Sequence, residues 1–251
     1  MNKSAPTKRF SSRAEDYARY RSDYAPEAIT RIFEISGLGA EAVVADIGAG
    51  TGLLTRHFLE TGRKIYAVEP NPEMRTFAEA DLSRYSNFVS LPGSAEETGL
   101  PDQSIDLIAA GRAFHWFQPE PARKEFLRIL KPQGWIAMIW LKSRGTDLQE
   151  VFEAIRSAEH GFTPKDEGRP PFEPLPYYLG HDNIIVEEFS HPIRVDLETF
   201  WGEYRSYSHA PEPDHPLFPK FEQAVQDVFE QYQVDGLMHW ELKTELYLGQ
   251  I

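Results

Sequence analysis

Asp46-Ile47-Gly48-Ala49-Gly50-Thr51-Gly52 places three glycines at alternate positions behind a carboxylate. Glycine lacks Cβ, so such a segment can turn sharply and let a ligand come close to the backbone. Glu69 follows twenty-three residues after Asp46. If both acids end neighbouring parallel strands, they flank the crevice where open α/β sheets take their ligands. A carboxylate at that place accepts hydrogen bonds from both hydroxyls of a ribose, so the pair predicts a nucleoside pocket. A tight turn with no ligand is the other reading of the glycines alone.

The spacing narrows the choice of nucleoside. Dinucleotide loops read G-x-G-x-x-G with a helix N-terminus aimed at a pyrophosphate, and here the order is G-x-G-x-G. Asp46 would repel a pyrophosphate and attract a ligand bearing an ammonium group. A phosphate-cradling Walker loop would need Gly-Lys-Ser/Thr, and Gly52 is followed by Leu53-Leu54. A second segment, Gly111-Arg112-Ala113-Phe114-His115-Trp116-Phe117, gathers aromatic rings whose faces attract cations. His115 in it can orient a substrate or accept a proton, or it can be an ordinary packed histidine.

These residues need strands and helices to hold them. Ala42–Ala45, Ile65–Val68, Phe88–Leu91, Ile105–Ala110 and Trp135–Leu141 are short apolar runs suited to strands buried on both faces. Between them, Ala28–Ile35, the stretch from Leu53 to Gly62, the stretch around Met74, Phe77, Ala78 and Leu82, and Pro121–Leu130 carry helical spacing. Asn71 followed by Pro72 is a helix start. Strand–helix alternation with short connections predicts parallel strands with helices on both faces. Beyond residue 141 the pattern changes. A helix is expected over Leu148–Ala158, and the stretch 161–180 is expected to run irregularly over the surface as a lid. A strand near 183–189, helices over Leu197–Tyr207 and Phe221–Tyr232, and a long strand over Leu237–Leu248 close the sheet with an antiparallel addition. The expected fold is α/β, a doubly wound, mostly parallel, seven-stranded sheet with an added lid. The reading is a single domain over 1–251: an N-terminal segment over 1–26, a ligand-binding core over 40–141, a lid and substrate region over 142–216, and a final helix and strand over 217–251.

Composition excludes several functions. Cysteine is absent among the 251 residues, which removes disulfides, thiolate metal sites and cysteine nucleophiles. Twenty-six basic against 39 acidic residues give a net charge of −13, a field that repels nucleic acid and anionic bilayers. The longest apolar run, Trp135–Leu141, is far short of the ~20 residues of a membrane span. The first ten residues hold no apolar run of the secretory kind, and a soluble, cytoplasmic protein is expected. The partner expected is a small-molecule substrate. Oligomeric state is not legible.

Four segments in order resemble the class I S-adenosylmethionine-dependent methyltransferases: VVADIGAGTG, YAVEPNPEM, GSAEETGLPDQSIDLI and LRILKPQGWIAMI. The likeness covers roughly residues 40–141, and the Rossmann-like fold of that family is what it implies. By that resemblance S-adenosyl-L-methionine is the cofactor, and the loop Asp46, Gly48, Ala49, Gly50 and Gly52 holds its methionine portion and ribose. Glu69 takes the ribose hydroxyls, while Pro70, Asn71 and Met74 border the adenine. Ser94, Ala95 and Glu96 meet the adenine edge; the family often has aspartate where Ser94 stands. Gly111 lies at the same ligand edge. The segment from Phe10 to Tyr24 is similar to the closing segment of the trans-aconitate methyltransferase-like group, which implies that Tyr17 and Arg21 hold the cofactor's carboxylate end, Arg21 through a charge-assisted bond. The FHWF run recurs in that group and implies a substrate pocket containing His115 and Trp116. Tyr204 and Tyr207, with Trp201, Ser206 and His209, would roof it by analogy. Metal-dependent relatives carry acids in this loop and this chain has none, so no metal is expected. The activity implied is methyl transfer to a small acceptor, a carboxylate among the candidates. The rival readings are a non-catalytic cofactor-binding protein and, against Asp46, a nicotinamide oxidoreductase.

Overall fold

The computed structural model describes residues 13–144, 175–179, 184–207 and 210–251. The helix expected over 148–158, the segment 1–12 and His209 lie outside the described residues. After α1 (Ala14–Tyr20) and α2 (Pro26–Ser36) the chain alternates: β1 (Val43–Ile47), α3 (Leu53–Glu60), β2 (Lys64–Val68), α4 (Pro72–Leu82), β3 (Phe88–Leu91), β4 (Ile105–Gly111), a 3-10 turn (Phe114–Trp116), α5 (Pro119–Ile129) and β5 (Leu130–Arg144). Then come α6 (Leu175–Leu179), β6 (Ile185–Ser190), β7 (Ile193–Val195), α7 (Leu197–Arg205), α8 (Phe218–Tyr232) and β8 (Met238–Gln250).

The strand order is β3-β2-β1-β4-β5-β8-β6, with β7 paired to β8 beside this path. Pairing is parallel from β3 through β5 and antiparallel where β8 meets β5, β6 and β7. The expected mostly parallel sheet of seven strands is present, with β7 as a short extra strand. β1 lies between β2 and β4, so the order reverses beside it; that reversal opens a crevice at the C-terminal strand ends.

Burial on both faces follows from side-chain alternation. In β1, Val44 joins the layer of Ile32, Leu54, Phe58 and Ile65, whereas Ala45 and Ile47 join that of Phe114, Phe126 and Tyr178. A third cluster packs Phe200, Tyr204, Phe221, Val225 and Phe229 against Met238, Trp240 and Leu242 of β8. Proline begins α2, α4 and α5, where the missing N–H costs nothing. No helix among the described residues is long and apolar enough to cross a membrane.

Two local expectations need correction. Leu175–Leu179, inside the stretch expected to be irregular, is a short helix. Its Leu175, Tyr178 and Leu179 are buried against Phe117 and Phe126, so tertiary packing overrides the local proline content. Lys131-Pro132-Gln133-Gly134, read from sequence as a turn into the strand at Trp135, is a bulge within β5: Leu130 pairs with Ile105 and Trp135 with Leu107, so these four residues have no partners of their own on β4.

Candidate functional site

The ends of β1, β2 and β4 surround a cavity of about 260 Å³. Tyr17, Gly48, Gly50, Glu69, Pro70, Asn71, Met74, Ser94, Ala95, Glu96, Gly111 and Trp116 line it, all of them singled out by sequence. Phe117, of the aromatic run, lines it as well, as do Arg112, Ala113 and Gln118, which were not assigned a role from sequence.

The glycine loop is shaped by strand-end hydrogen bonds. Gly48 and Ala49 both donate backbone N–H to the carbonyl of Val68, which curls the chain over the end of β2. Gly48, Gly50 and Gly52 all have φ in the left-handed region, at 72°, 59° and 87°. They differ in what surrounds them. A Cβ at Gly50 would point into open space, whereas one at Gly48 would lie 2.6 Å from Ala113 and one at Gly52 2.6 Å from Leu82. Gly50 therefore leaves room for a ligand, Gly48 serves both ligand space and packing, and Gly52 is a packing glycine. Gly111 likewise admits the Tyr24 ring, whose hydroxyl would sit 2.5 Å from an added Cβ.

Glu69 anchors the loop. One carboxylate oxygen accepts the Gly50 N–H at 2.9 Å and the other the Asn71 N–H at 2.8 Å. Burial raises its pKa, against the pull of those two amides. Asn71 caps α4 by accepting from Glu73 and Met74 N–H, which fixes the buried Met74 in the wall. Across the cavity, Ser94 accepts the Glu96 N–H, and Glu96 accepts the N–H of Gln118 at the start of α5.

Several sequence-chosen residues stand behind the lining rather than on it. Asp46 is buried beneath the loop, one oxygen accepting the Thr55 hydroxyl at 2.6 Å while Oδ1 has no partner. Burial pushes its carboxyl up to about 7, with the Glu69 charge adding to the shift. Ala49 is buried and tied to Val68, and Gly52 packs on α4. Arg21 is not among the lining residues: it lies 3.3 Å from the buried Glu203, donates to the Ser206 hydroxyl and stacks on Tyr207 at 4.1 Å. Tyr207 is thus the underside of Arg21, and Tyr204 is wholly buried against Phe200. His115 is wedged between Trp116 and Trp140, with ring centroids 4.8 and 5.3 Å away. Burial and the Arg21 charge push its pKa down to about 4, so the imidazole is neutral at physiological pH.

The Arg21–Glu203 pair belongs to a wider seam in which α7 holds α1 over the cavity. Arg19 and Tyr20 bond Glu198, Arg205 bonds Asp16, and Tyr20 packs against Gly202. Arg21→Ala is expected to strip the buried Glu203 of its cation, a change worth about 3 kcal/mol where buried pairs are broken. That corresponds to a fall of roughly 6–12 °C in melting temperature for a chain of this size. A thermal melt of the variant without ligand checks it.

Of the residues missed by sequence, Arg112 has a signal in hindsight. It is a lone charge between the end of a buried strand and an aromatic run, and it takes φ of 53°. Among the described residues no group of histidines and acids is arranged to hold a metal ion.

Comparison with known proteins places the chain in a class. A family described as methyltransferase domain matches residues 45–138, the stretch that carries the loop, Glu69 and the wall from Ser94 to Gln118. An uncharacterized methyltransferase of Mycobacterium tuberculosis is 39% identical over 131 residues, 52% of this chain and 51% of that protein. An uncharacterized methyltransferase of Geobacillus kaustophilus is 33% identical over 160 residues, 59% of this chain and 72% of that protein. The chain belongs to this methyltransferase family. It spans about half the length of the mycobacterial relative it matches. Among solved structures, a proposed type II methyltransferase of Anaeromyxobacter dehalogenans superposes with a TM-score of 0.62 at 18% identity, covering 92% of this chain and 98% of that one. A phosphoethanolamine N-methyltransferase of Haemonchus contortus, solved with phosphomonomethylethanolamine and S-adenosylhomocysteine, gives 0.50 at 13% identity, covering 95% of this chain and 57% of that one. These two likenesses establish the Rossmann-like methyltransferase fold.

Proposed function

We propose that this chain binds S-adenosylmethionine in the cavity at the ends of β1, β2 and β4 and transfers its methyl group to a small acceptor, in the manner of the trans-aconitate methyltransferase-like group. The observation that carries this reading is the union of Gly50, Glu69, Met74 and Ser94–Glu96 around one cavity. Two features suit the cofactor independently of any relative. The position beside Gly50 is open, as a nucleoside approaching the backbone requires. The buried carboxyl of Asp46 stands behind the lining, and the charge of a cationic ligand in the cavity would favour its ionised form.

Bound there, S-adenosylmethionine would supply a methyl carbon activated by its sulfonium. Glu69 has lone pairs left on both oxygens for the ribose hydroxyls after accepting the two backbone amides. Met74 presents a polarisable side chain to the adenine face. Tyr17 and Trp116 close the other end, where aromatic faces favour positive charge and exclude water. Holding the acceptor against the methyl carbon supplies roughly 7–11 kcal/mol in well-oriented systems, so alignment can carry most of the catalysis. His115 would orient the pocket wall rather than take a proton, because a group with a pKa near 4 is a feeble base at neutral pH.

The pH dependence separates Asp46 from His115. A carboxyl with its pKa raised to about 7 must lose its proton before it can neutralise a cationic ligand. Affinity for S-adenosylmethionine is therefore expected to rise as pH increases from about 6 to 8, and Asp46→Asn to weaken binding and flatten that profile. His115→Gln should keep the limb, since His115 releases its proton near pH 4. The sign is opposite for the ligand-free fold. Asp46 binds its proton more tightly folded than unfolded, so its contribution to stability falls as pH rises from about 4 to 7. Titration calorimetry across that range, with NAD as the control ligand, tests the reading, followed by a methyl-transfer assay on a panel of small acids, amines and phenols. Binding of NAD but not S-adenosylmethionine would overturn it; binding without turnover on any acceptor would favour a non-catalytic role.

A further inference from the structure

Arg112 is the charge in this cavity that the reading above leaves without a task. The residue lines the cavity and is nine-tenths buried. Its Nε donates to the Tyr24 hydroxyl at 3.1 Å, and its guanidinium lies 4.9 Å from the centroid of the Tyr24 ring. Nη2 is buried and has no hydrogen-bond partner among the described residues. The acids whose charges it feels are engaged elsewhere. Glu203 is held by Arg21 and the Ser22 amide, and Asp23 by His57 and the Tyr24 amide. A buried guanidinium with no carboxylate partner is costly, and proteins rarely keep one without use. The backbone is strained as well, because φ of 53° is a conformation that suits glycine far better than arginine. Two separate costs therefore converge on one side chain facing a ligand cavity.

We propose that Arg112 is the carboxylate receptor of this cavity: its unpartnered Nη2 donates to a carboxylate of a bound ligand, which completes the pair that the folded chain leaves open. The inference rests on the cofactor reading for what else fills the cavity. A carboxylate suits this position better than a phosphate. Glu69 lines the same cavity and the charge of Glu203 reaches Arg112, so a dianion would meet their repulsion where a single charge is balanced by one guanidinium. Planar N–H donors also match carboxylate geometry. Two ligands could bring that group, the amino-acid end of S-adenosylmethionine or an acidic methyl acceptor. Arg112 follows β4, across β1 from Glu69 after β2 and Ser94 after β3, so it stands apart from the side proposed for the ribose and adenine.

The test uses the full chain and two variants, Arg112→Gln and Arg112→Gly. The glycine variant removes the guanidinium and releases the backbone strain, so it is expected to melt no lower than the wild type while binding more weakly. Calorimetry is run with S-adenosylhomocysteine and with its analogue lacking the carboxylate. If the cofactor supplies the group, wild type prefers S-adenosylhomocysteine by roughly 10- to 100-fold and both variants lose that preference. If the acceptor supplies it, both variants bind S-adenosylhomocysteine as wild type does. Benzoate and small dicarboxylates then raise the melting temperature of the wild-type complex with S-adenosylhomocysteine, their amides do not, and neither variant responds. The proposal is overturned if the variants match wild type towards every one of these ligands. It is overturned equally if they lose S-adenosylhomocysteine and the carboxylate-free analogue by the same factor, which would make Arg112 a brace for the loop through Tyr24. A wild type that binds no S-adenosylhomocysteine would instead sink the cofactor reading itself.

Discussion

Gly50→Val is expected to abolish S-adenosylmethionine binding while leaving a folded protein. The reasoning depends on the contrast among the loop glycines. At Gly48 and Gly52 an added Cβ collides with Ala113 or Leu82, so a substitution would disturb packing and confuse any loss of binding with loss of structure. At Gly50 an added Cβ meets nothing from the protein within 4 Å, and the residue lines the cavity. A branched side chain there overlaps the approaching nucleoside, and affinity should drop by at least about 100-fold. The variant also forces a β-branched residue to φ of 59°, a strain of about 1–3 kcal/mol that should lower the melting temperature by several degrees. Gly50→Ala controls for this, with milder strain and an intermediate loss. Calorimetry on protein whose circular dichroism matches wild type reads the effect. A valine variant that binds normally would show that the loop is a turn and that the nucleoside lies elsewhere.

Glu69→Ala should weaken S-adenosylmethionine by about 1.5–3 kcal/mol, the value of hydrogen bonds to a charged group. The structure adds a cost that a strand-end acid would not ordinarily carry. Because its two oxygens accept from Gly50 and Asn71, removing the side chain leaves two backbone amides without their acceptors and loosens the loop. A further loss of about 1–3 kcal/mol in fold stability is expected. Glu69→Gln is no rescue, since its amide nitrogen would face one of those two N–H donors. Glu69→Asp keeps the charge but shortens the reach, and should recover part of the stability without the ribose contact. Adenosine alone separates the two effects: if Glu69 holds the ribose, the alanine variant loses adenosine and S-adenosylmethionine by similar factors. Unchanged affinity for both in a folded variant would remove Glu69 from the site.

Both predictions rest on segments that could be read directly. Asp46 to Gly52, Glu69, Asn71-Pro72 and Ser94–Glu96 are local signals: a glycine spacing, a strand-end acid, a helix cap and a short polar turn. Each is written in consecutive residues, and strand–helix alternation dictates that the strand ends meet at one edge. For that reason the fold and much of the cavity lining are legible in the sequence. The residues that joined this edge from elsewhere were harder. Tyr17 and Arg21 lie one turn apart on the same stretch of chain, yet Tyr17 lines the cavity and Arg21 is drawn off by Glu203.

That division has a simple physical origin. Periodicity, glycine placement and capping act through the backbone within a few residues, and the sequence alone therefore determined the alternating sheet, the loop over β2 and the acid at its end. Where a charged or aromatic side chain points depends on partners far along the chain. Glu203 is 182 residues from Arg21, Tyr24 is 88 from Arg112, and Trp140 presses on His115 from the next strand. Competition among such distant partners pairs Arg21 with Glu203 and packs His115 between Trp116 and Trp140 as a neutral imidazole. It leaves Nη2 of Arg112 buried and without a partner among the described residues. Only the tertiary structure could decide these, because the desolvation and pairing that settle a buried charge exist only after the chain has closed around it.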